Sequence, residues 1–173
     1  MKTSRSSGQQ KQAPTDVIRT AIIFLKEHFG VTKDYPFPDV VVNQRRGPGY
    51  VPRINVIHYV ADTTDPPLSL AYMTGEESAH YIHHWENPSL NERLYQIKDS
   101  MVDVSNNFED PESMSHSEEF RTLYMEQVNI QGIQELVGCL GGIAFAVRTA
   151  GPEALPALTT LIHQVMNDGE SDM

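Results

Sequence analysis

The residue pattern predicts an α+β fold, mostly helical, with a small sheet of two or more strands packed on one central helix. Three observations carry this. Apolar residues recur at helical spacing through most of the chain, three consecutive valines and an alternating stretch lie within residues 39–61, and Pro- and Gly-rich breaks separate the two kinds of segment. The elements follow in order. Residues 1–13 are mostly Ser, Gln and Lys and read as a disordered tail. Pro14-Thr15-Asp16 opens a helix in which Val17, Ala21, Phe24, Leu25 and Phe29 share a face, and Gly30 ends it. Tyr35-Pro36-Phe37-Pro38 is extended, because proline forbids helix and biases the residue before it.

Asp39 to Asn43, with three consecutive valines, reads as a strand, and Arg45-Arg46-Gly47-Pro48-Gly49 as a turn. Tyr50 to Ala61 reads as one second strand, with Val51, Arg53, Asn55, Ile57 and Tyr59 on one face. After a Pro-containing loop, Leu68 to Trp85 is a helix, stopped by Asn87-Pro88. Ser89 caps a helix to about Val104, a polar loop follows from Ser105 to Met114, and Ser115-x-x-Glu118 reads as a capping box for a helix to about Val128. Gln131 to Thr149 reads as a buried helix, and Pro152 to Met166 closes the core. The expected organisation is a single domain over residues 14–166 with a flexible acidic tail at 167–173.

Net charge is −10, which argues against a nucleic-acid partner. Only five lysines are present, a composition that fits an ordinary acidic soluble protein first and a high-salt host second. The single cysteine, Cys139, excludes an intramolecular disulfide and a Cys-based zinc knuckle. Its glycine neighbours suit close helix packing, and no activating group makes it a nucleophile. Leu136 to Val147 is too short and glycine-rich for a bilayer span, and no apolar run follows the basic N-terminus. The expectation is a chain with no membrane partner, cytoplasmic, or virion-associated if it belongs to a viral assembly.

Gly75-Glu76-Glu77-Ser78-Ala79-His80-Tyr81-Ile82-His83-His84-Trp85 is the densest gathering of groups that bind metal or move protons. Glu76, His80 and His84 are four apart, so they line one helix face and can converge on one ion. Glu77-x-x-His80 also matches half of a di-iron carboxylate pattern, whose second half is absent. Tyr81 and Trp85 suit packing anchors, His58 a core or edge position, and Tyr124 has no spacing that singles it out. The competing reading of the whole cluster is a solvated helix face with one hydrogen-bonded histidine, His80.

The segment resembles the His-Glu-x-x-His helix of zinc metallopeptidases, in the gluzincin branch, whose third protein ligand is a Glu on a later helix. Glu77 and His80 match the general-base and second-ligand positions, and Glu135, on the apolar helix, matches the later carboxylate. Glu76 stands where the family has its first His. The resemblance implies a zincin-like domain holding a divalent ion, zinc first and manganese or iron next, on Glu76, His80 and Glu135, with His84 an alternative ligand. It implies Glu77 as the base for the attacking water, and the Tyr50–Ala61 strand as the edge that pairs with a peptide or protein substrate. A site with one His and two carboxylates is more anionic and makes water less acidic, so the peptidase is expected to be weak or inactive. The alternative is a non-catalytic interaction protein, a homo-oligomer or part of a larger assembly such as a virion. A third option is a regulatory domain that senses metal or binds peptide without cutting it.

Overall fold

The computed structural model describes residues 13–42, 48–59 and 67–168. The expected disorder of the N-terminal tail before Ala13, the Arg45-Arg46 turn and the tail from Gly169 lie outside the described residues. The architecture is α+β and mostly helical: α1 (Pro14–Phe29), β1 (Asp39–Val42), β2 (Gly49–Val51), β3 (Val56–Tyr59), α2 (Pro67–Glu86), α3 (Pro88–Ser105), α4 (Pro111–His116), α5 (Glu118–Ala150) and α6 (Leu155–Asp168). Helix α1 ends as expected, with Gly30 in the left-handed region at φ 71°. Proline 88 starts α3 after the single connecting residue Asn87, which takes the cap position expected of Ser89.

The sheet differs from expectation in topology. Strand order is β1-β3-β2, with β1 parallel to β3 and β2 antiparallel to it. The stretch expected as one strand is two, joined by a 3-10 turn at Pro52–Ile54 and by Asn55 at φ 50°. Pro52 cannot donate to a ladder, and Asn tolerates the left-handed conformation that reverses the chain. Asn55 is fastened from both sides, since its Nδ2 donates to Pro36 O at 3.2 Å and its Oδ1 accepts from the Tyr50 hydroxyl at 3.1 Å. The alternation of faces expected across residues 51–59 therefore does not exist.

The helical half differs at its longest element. The expected break between Val128 and Gln131 is absent, and α5 runs unbroken for 33 residues, because no proline or glycine interrupts it before Gly132. Its N-cap is Ser117, whose hydroxyl accepts from Phe120 N, in place of the capping box expected at Ser115. The polar loop before it contains α4, capped by Asp110. Helix α6 continues to Asp168, two residues into the stretch expected as tail.

Helix α2 is central, packing against α1, α3, α5, β2 and β3. Ile18 and Leu25 of α1, Ile57 and Tyr59 of β3, and Tyr81 and Ile82 of α2 form the main core. The Tyr81 hydroxyl donates to Pro36 O at 3.0 Å, and Trp85 stacks on Tyr35, so both act as the packing anchors expected. A second cluster joins Ala71 and Tyr72 of α2 to Ala146 of α5 and Leu158 of α6.

Glycines let α2 and α5 touch backbone to backbone. A methyl at Gly75 would sit 2.5 Å from Gly141 O and 2.7 Å from Phe145 Cβ. One at Gly142 would sit 2.7 Å from the Tyr72 ring, and one at Gly141 would overlap the Ala79 methyl. Gly75→Ala and Gly141→Ala are each expected to destabilise the fold by about 2–3 kcal/mol, since neither backbone can give way. Urea unfolding midpoints test this.

Candidate metal centre

A cleft of about 610 Å³ lies between the edge strand β2 and the facing sides of α2 and α5. Its floor is one face of α2. Ser69, the pairs Tyr72–Met73 and Glu76–Glu77, His80, and the pair His83–His84 line it, successive turns being three or four residues apart, as a helix of 3.6 residues per turn requires. Pro48 to Tyr50 form one wall, and Gln134 and Glu135 of α5 the other. Asn91 of α3, itself buried, closes one end. It donates to His84 O at 3.0 Å and accepts from Gln134 Nε2 at 3.0 Å, tying α2, α3 and α5 together.

Glu76, His80 and Glu135 converge in this cleft, each offering one ligand atom, and these atoms lie within 4.8 Å of one another. His80 Nε2 and Glu135 Oε2 are 3.9 Å apart, too far for a hydrogen bond. A tetrahedral ion with ligands at roughly 2.0–2.2 Å separates those ligands by ~3.4 Å. The trio therefore fits a divalent ion after an inward movement of less than 1.5 Å or so. The side chain free to make that movement is Glu135, whose side chain is 73% exposed. The expectation of a buried helix over Gln131–Thr149 therefore does not hold at Glu135. Helix α5 presents it at the cleft mouth, where water screens it.

The other candidates sort as follows. Glu77 is buried, and its Oε2 accepts from the backbone N–H of Tyr50 at 2.6 Å. This bond pins the carboxylate to the strand edge while leaving it on the cleft wall. His84 lines the cleft but is outside the trio, its ring packed edge-on to Tyr50 and Trp85. His83 is buried and also lines the cleft, a more central position than that of a bystander on a solvated face. His58 is half-buried on β3 and lies outside this cleft. Tyr124 is exposed on α5 and takes no part. Sequence reasoning missed Tyr72, Asn91 and Gln134; the helical period through Ser69, Tyr72 and Glu76 was the available signal for the first, and none existed for the other two.

Electrostatics follow from burial among like charges. Burial, and next the Glu135 charge, push the Glu76 carboxyl up to about 7. Burial, and next Glu76, push Glu77 up to about 7 against the opposing Tyr50 N–H. Burial lowers His80, with Glu135 opposing, and burial also lowers His83 and His84. The cleft thus favours neutral glutamic acids and neutral imidazoles, a state that a cation converts by displacing protons. Among the lining residues there is no Lys or Arg to neutralise the carboxylates.

Seating His80 depends on Gly138. A methyl there would lie 2.5 Å from His80 Nε2 and 2.6 Å from Cε1, so only glycine lets the imidazole lie against α5. No family model, curated protein or solved structure matches this chain.

Two outcomes are expected. In chelator, the protons held by Glu76 and Glu77 stabilise the folded state fully below pH 4.5, and this contribution is lost as pH rises through about 7. The histidines act in the opposite sense, their contribution being present above pH 6.5 and lost as pH falls. Above pH 6.5, where the histidine contribution is complete, thermal stability should therefore decline as pH rises through about 7. Glu77→Gln should flatten that decline in a melting series against pH. Second, Gly138→Ala should displace the His80 ring, seen as a shift of its imidazole resonances by NMR, while costing less stability than Gly75→Ala.

Proposed function

We propose that this chain is a divalent-metal-binding domain related to zincin metallopeptidases, with a metal site altered at its first ligand and with peptidase turnover slow or lost. The observation that carries it is the convergence of Glu76, His80 and Glu135 in one cleft. Glu77 and His80 at the matching positions of the zinc-protease helix support the relationship, as does the order helix, sheet, motif helix, later glutamate helix. Zinc is the ion best suited to a small site of one imidazole and two carboxylates that keeps an open position, with manganese and iron next. When bound, such an ion supplies Lewis acidity and charge stabilisation in the cleft.

The chain's own residues argue for binding over turnover. Glu77 is the group to take a proton from a water in the cleft, being buried, close to Glu76 and raised toward neutrality. Its carboxylate, however, already accepts the Tyr50 N–H. That bond also removes the only outward-facing donor of the edge strand, because Pro48 and Pro52 on either side carry no N–H. An extended peptide laid along β2 would find acceptors and no free donor, so edge addition by substrate is weak unless Glu77 lets go. Two anionic ligands around one imidazole lower the driving force for water ionisation further.

A second reading, a non-catalytic interaction protein in a larger assembly, is favoured by one observation, the apolar outer face of α5, where Ile133, Leu136 and Leu140 are exposed. The two readings are compatible, since the cleft and that face are different parts of the molecule.

Zinc at a hundredfold excess over its dissociation constant is expected to stabilise the fold by about 2.7 kcal/mol. Glu76→Ala and Glu135→Ala should each remove most of that gain without lowering the stability of the metal-free protein. A zinc-independent melting temperature in the wild type, or full zinc response in both variants, would end the proposal. Casein cleavage by the zinc-loaded protein is expected to be absent or slow, and Glu77→Gln should abolish any that is present.

A further inference from the structure

The apolar outer face of α5 is independent of the metal reading. Met125, Val128, Ile133, Leu136 and Leu140 fall on one side of the helix, at steps of three to five residues, and all are exposed, Leu136 by 61%. At their centre lies Gly132, where an added side chain would meet nothing within 4 Å. From Met125 to Leu140 the stripe is ~24 Å long, interrupted by the exposed Asn129, and an exposed apolar face of this length is of a kind that marks an interaction site. By length and composition α5 also satisfies the requirement for crossing a membrane, with an 18-residue window of mean hydropathy 1.5. That departs from the short apolar stretch expected there. Gln134 and Glu135, however, lie in the middle of the helix and line a polar cleft, and the chain carries a net charge of −10, which opposes seating on an anionic lipid surface.

We propose that this face docks on the same face of a second copy of the chain, the two α5 helices antiparallel about a two-fold axis between Gly132 and Leu136. Three features specify that occupant. Leu136 of each copy fills the gap above Gly132 of the other, so the surface is self-complementary as a two-fold interface demands. The antiparallel arrangement brings Arg148, exposed at the C-terminal end of α5, beside Glu118 and Glu119 at the N-terminal end of the other α5. Opposed helix dipoles add to this. The remaining segments of the chain, 1–12, 43–47, 60–66 and 169–173, carry no apolar residues at helical spacing that would cover the stripe.

Sedimentation velocity of the full chain across micromolar concentrations tests the proposal. A two-chain species is expected. Leu136→Glu should convert it to monomer with unchanged helical circular dichroism, and Gly132→Glu, where nothing in the chain opposes the new side chain, should do the same without risk to the fold. Arg148→Glu should weaken association several-fold, and Glu118→Arg with Glu119→Arg should restore it. A monomer at every concentration would overturn the proposal, as would a dimer indifferent to both stripe variants. So would a monomer that sediments with phosphatidylglycerol vesicles in a Leu136-dependent manner, which would make the stripe a lipid-binding surface.

Discussion

The contact between α2 and α5 governs this molecule. Two helices ordinarily keep their axes 8–10 Å or so apart, because side chains stand between them. Here Gly75 faces Gly141 and Phe145, and Gly142 faces Tyr72, so the two backbones meet with no side chain between them. Every group of interest depends on that approach. Glu76 and His80 come from α2 and Glu135 from α5, and their ligand atoms fall within 4.8 Å only because the helices lie this close. Gly138 repeats the device one turn away and turns it to a different use, since the space it leaves is filled by the His80 imidazole.

The cleft built on this contact is electrostatically unsettled without a cation. Glu76, Glu77 and Glu135 share one cleft with three imidazoles and no basic side chain among the lining residues. Burial and mutual repulsion hold Glu76 and Glu77 near neutrality, and burial keeps the imidazoles uncharged. The fold carries that cost through its core and through the Tyr50 N–H, which fastens Glu77 to the sheet. That fastening serves the fold and restricts the chemistry, because one hydrogen bond occupies both the candidate base and the one donor that the strand edge could offer a peptide. The absence of donors at Pro48 and Pro52 also protects the edge from pairing with other chains.

Much of the architecture was legible in the residues, for local reasons. Pro14 and Gly30 bound α1, Asn87-Pro88 separates α2 from α3, and the four-residue spacing of Glu76, His80 and His84 put them on one face. What misled was equally local. Residues 50–61 alternate like a strand, yet Pro52 and Asn55 turn the chain back within them. The Val128–Gln131 junction looked like a boundary and is continuous helix, because polar residues alone do not stop a helix that is packed on one side. Glu135 drew attention as an acid in an apolar sequence, but the helix turns it outward, so its apolar neighbours did not imply burial.

Spacing along one helix is fixed by its geometry, so the sequence by itself determined that Glu76 and His80 share a face, that Glu77 adjoins them, and that the fold is mostly helical with a small sheet. Which residues meet across elements is a matter of packing, and only the tertiary structure decided it. It brought Glu135 to His80 and left His84 against Tyr50 and Trp85. It placed His83 in the cleft and spent Glu77 on a backbone N–H of β2. Those outcomes depend on how closely two helices approach and where a strand edge ends, and both are set by glycines and prolines whose effect appears only once the elements are assembled.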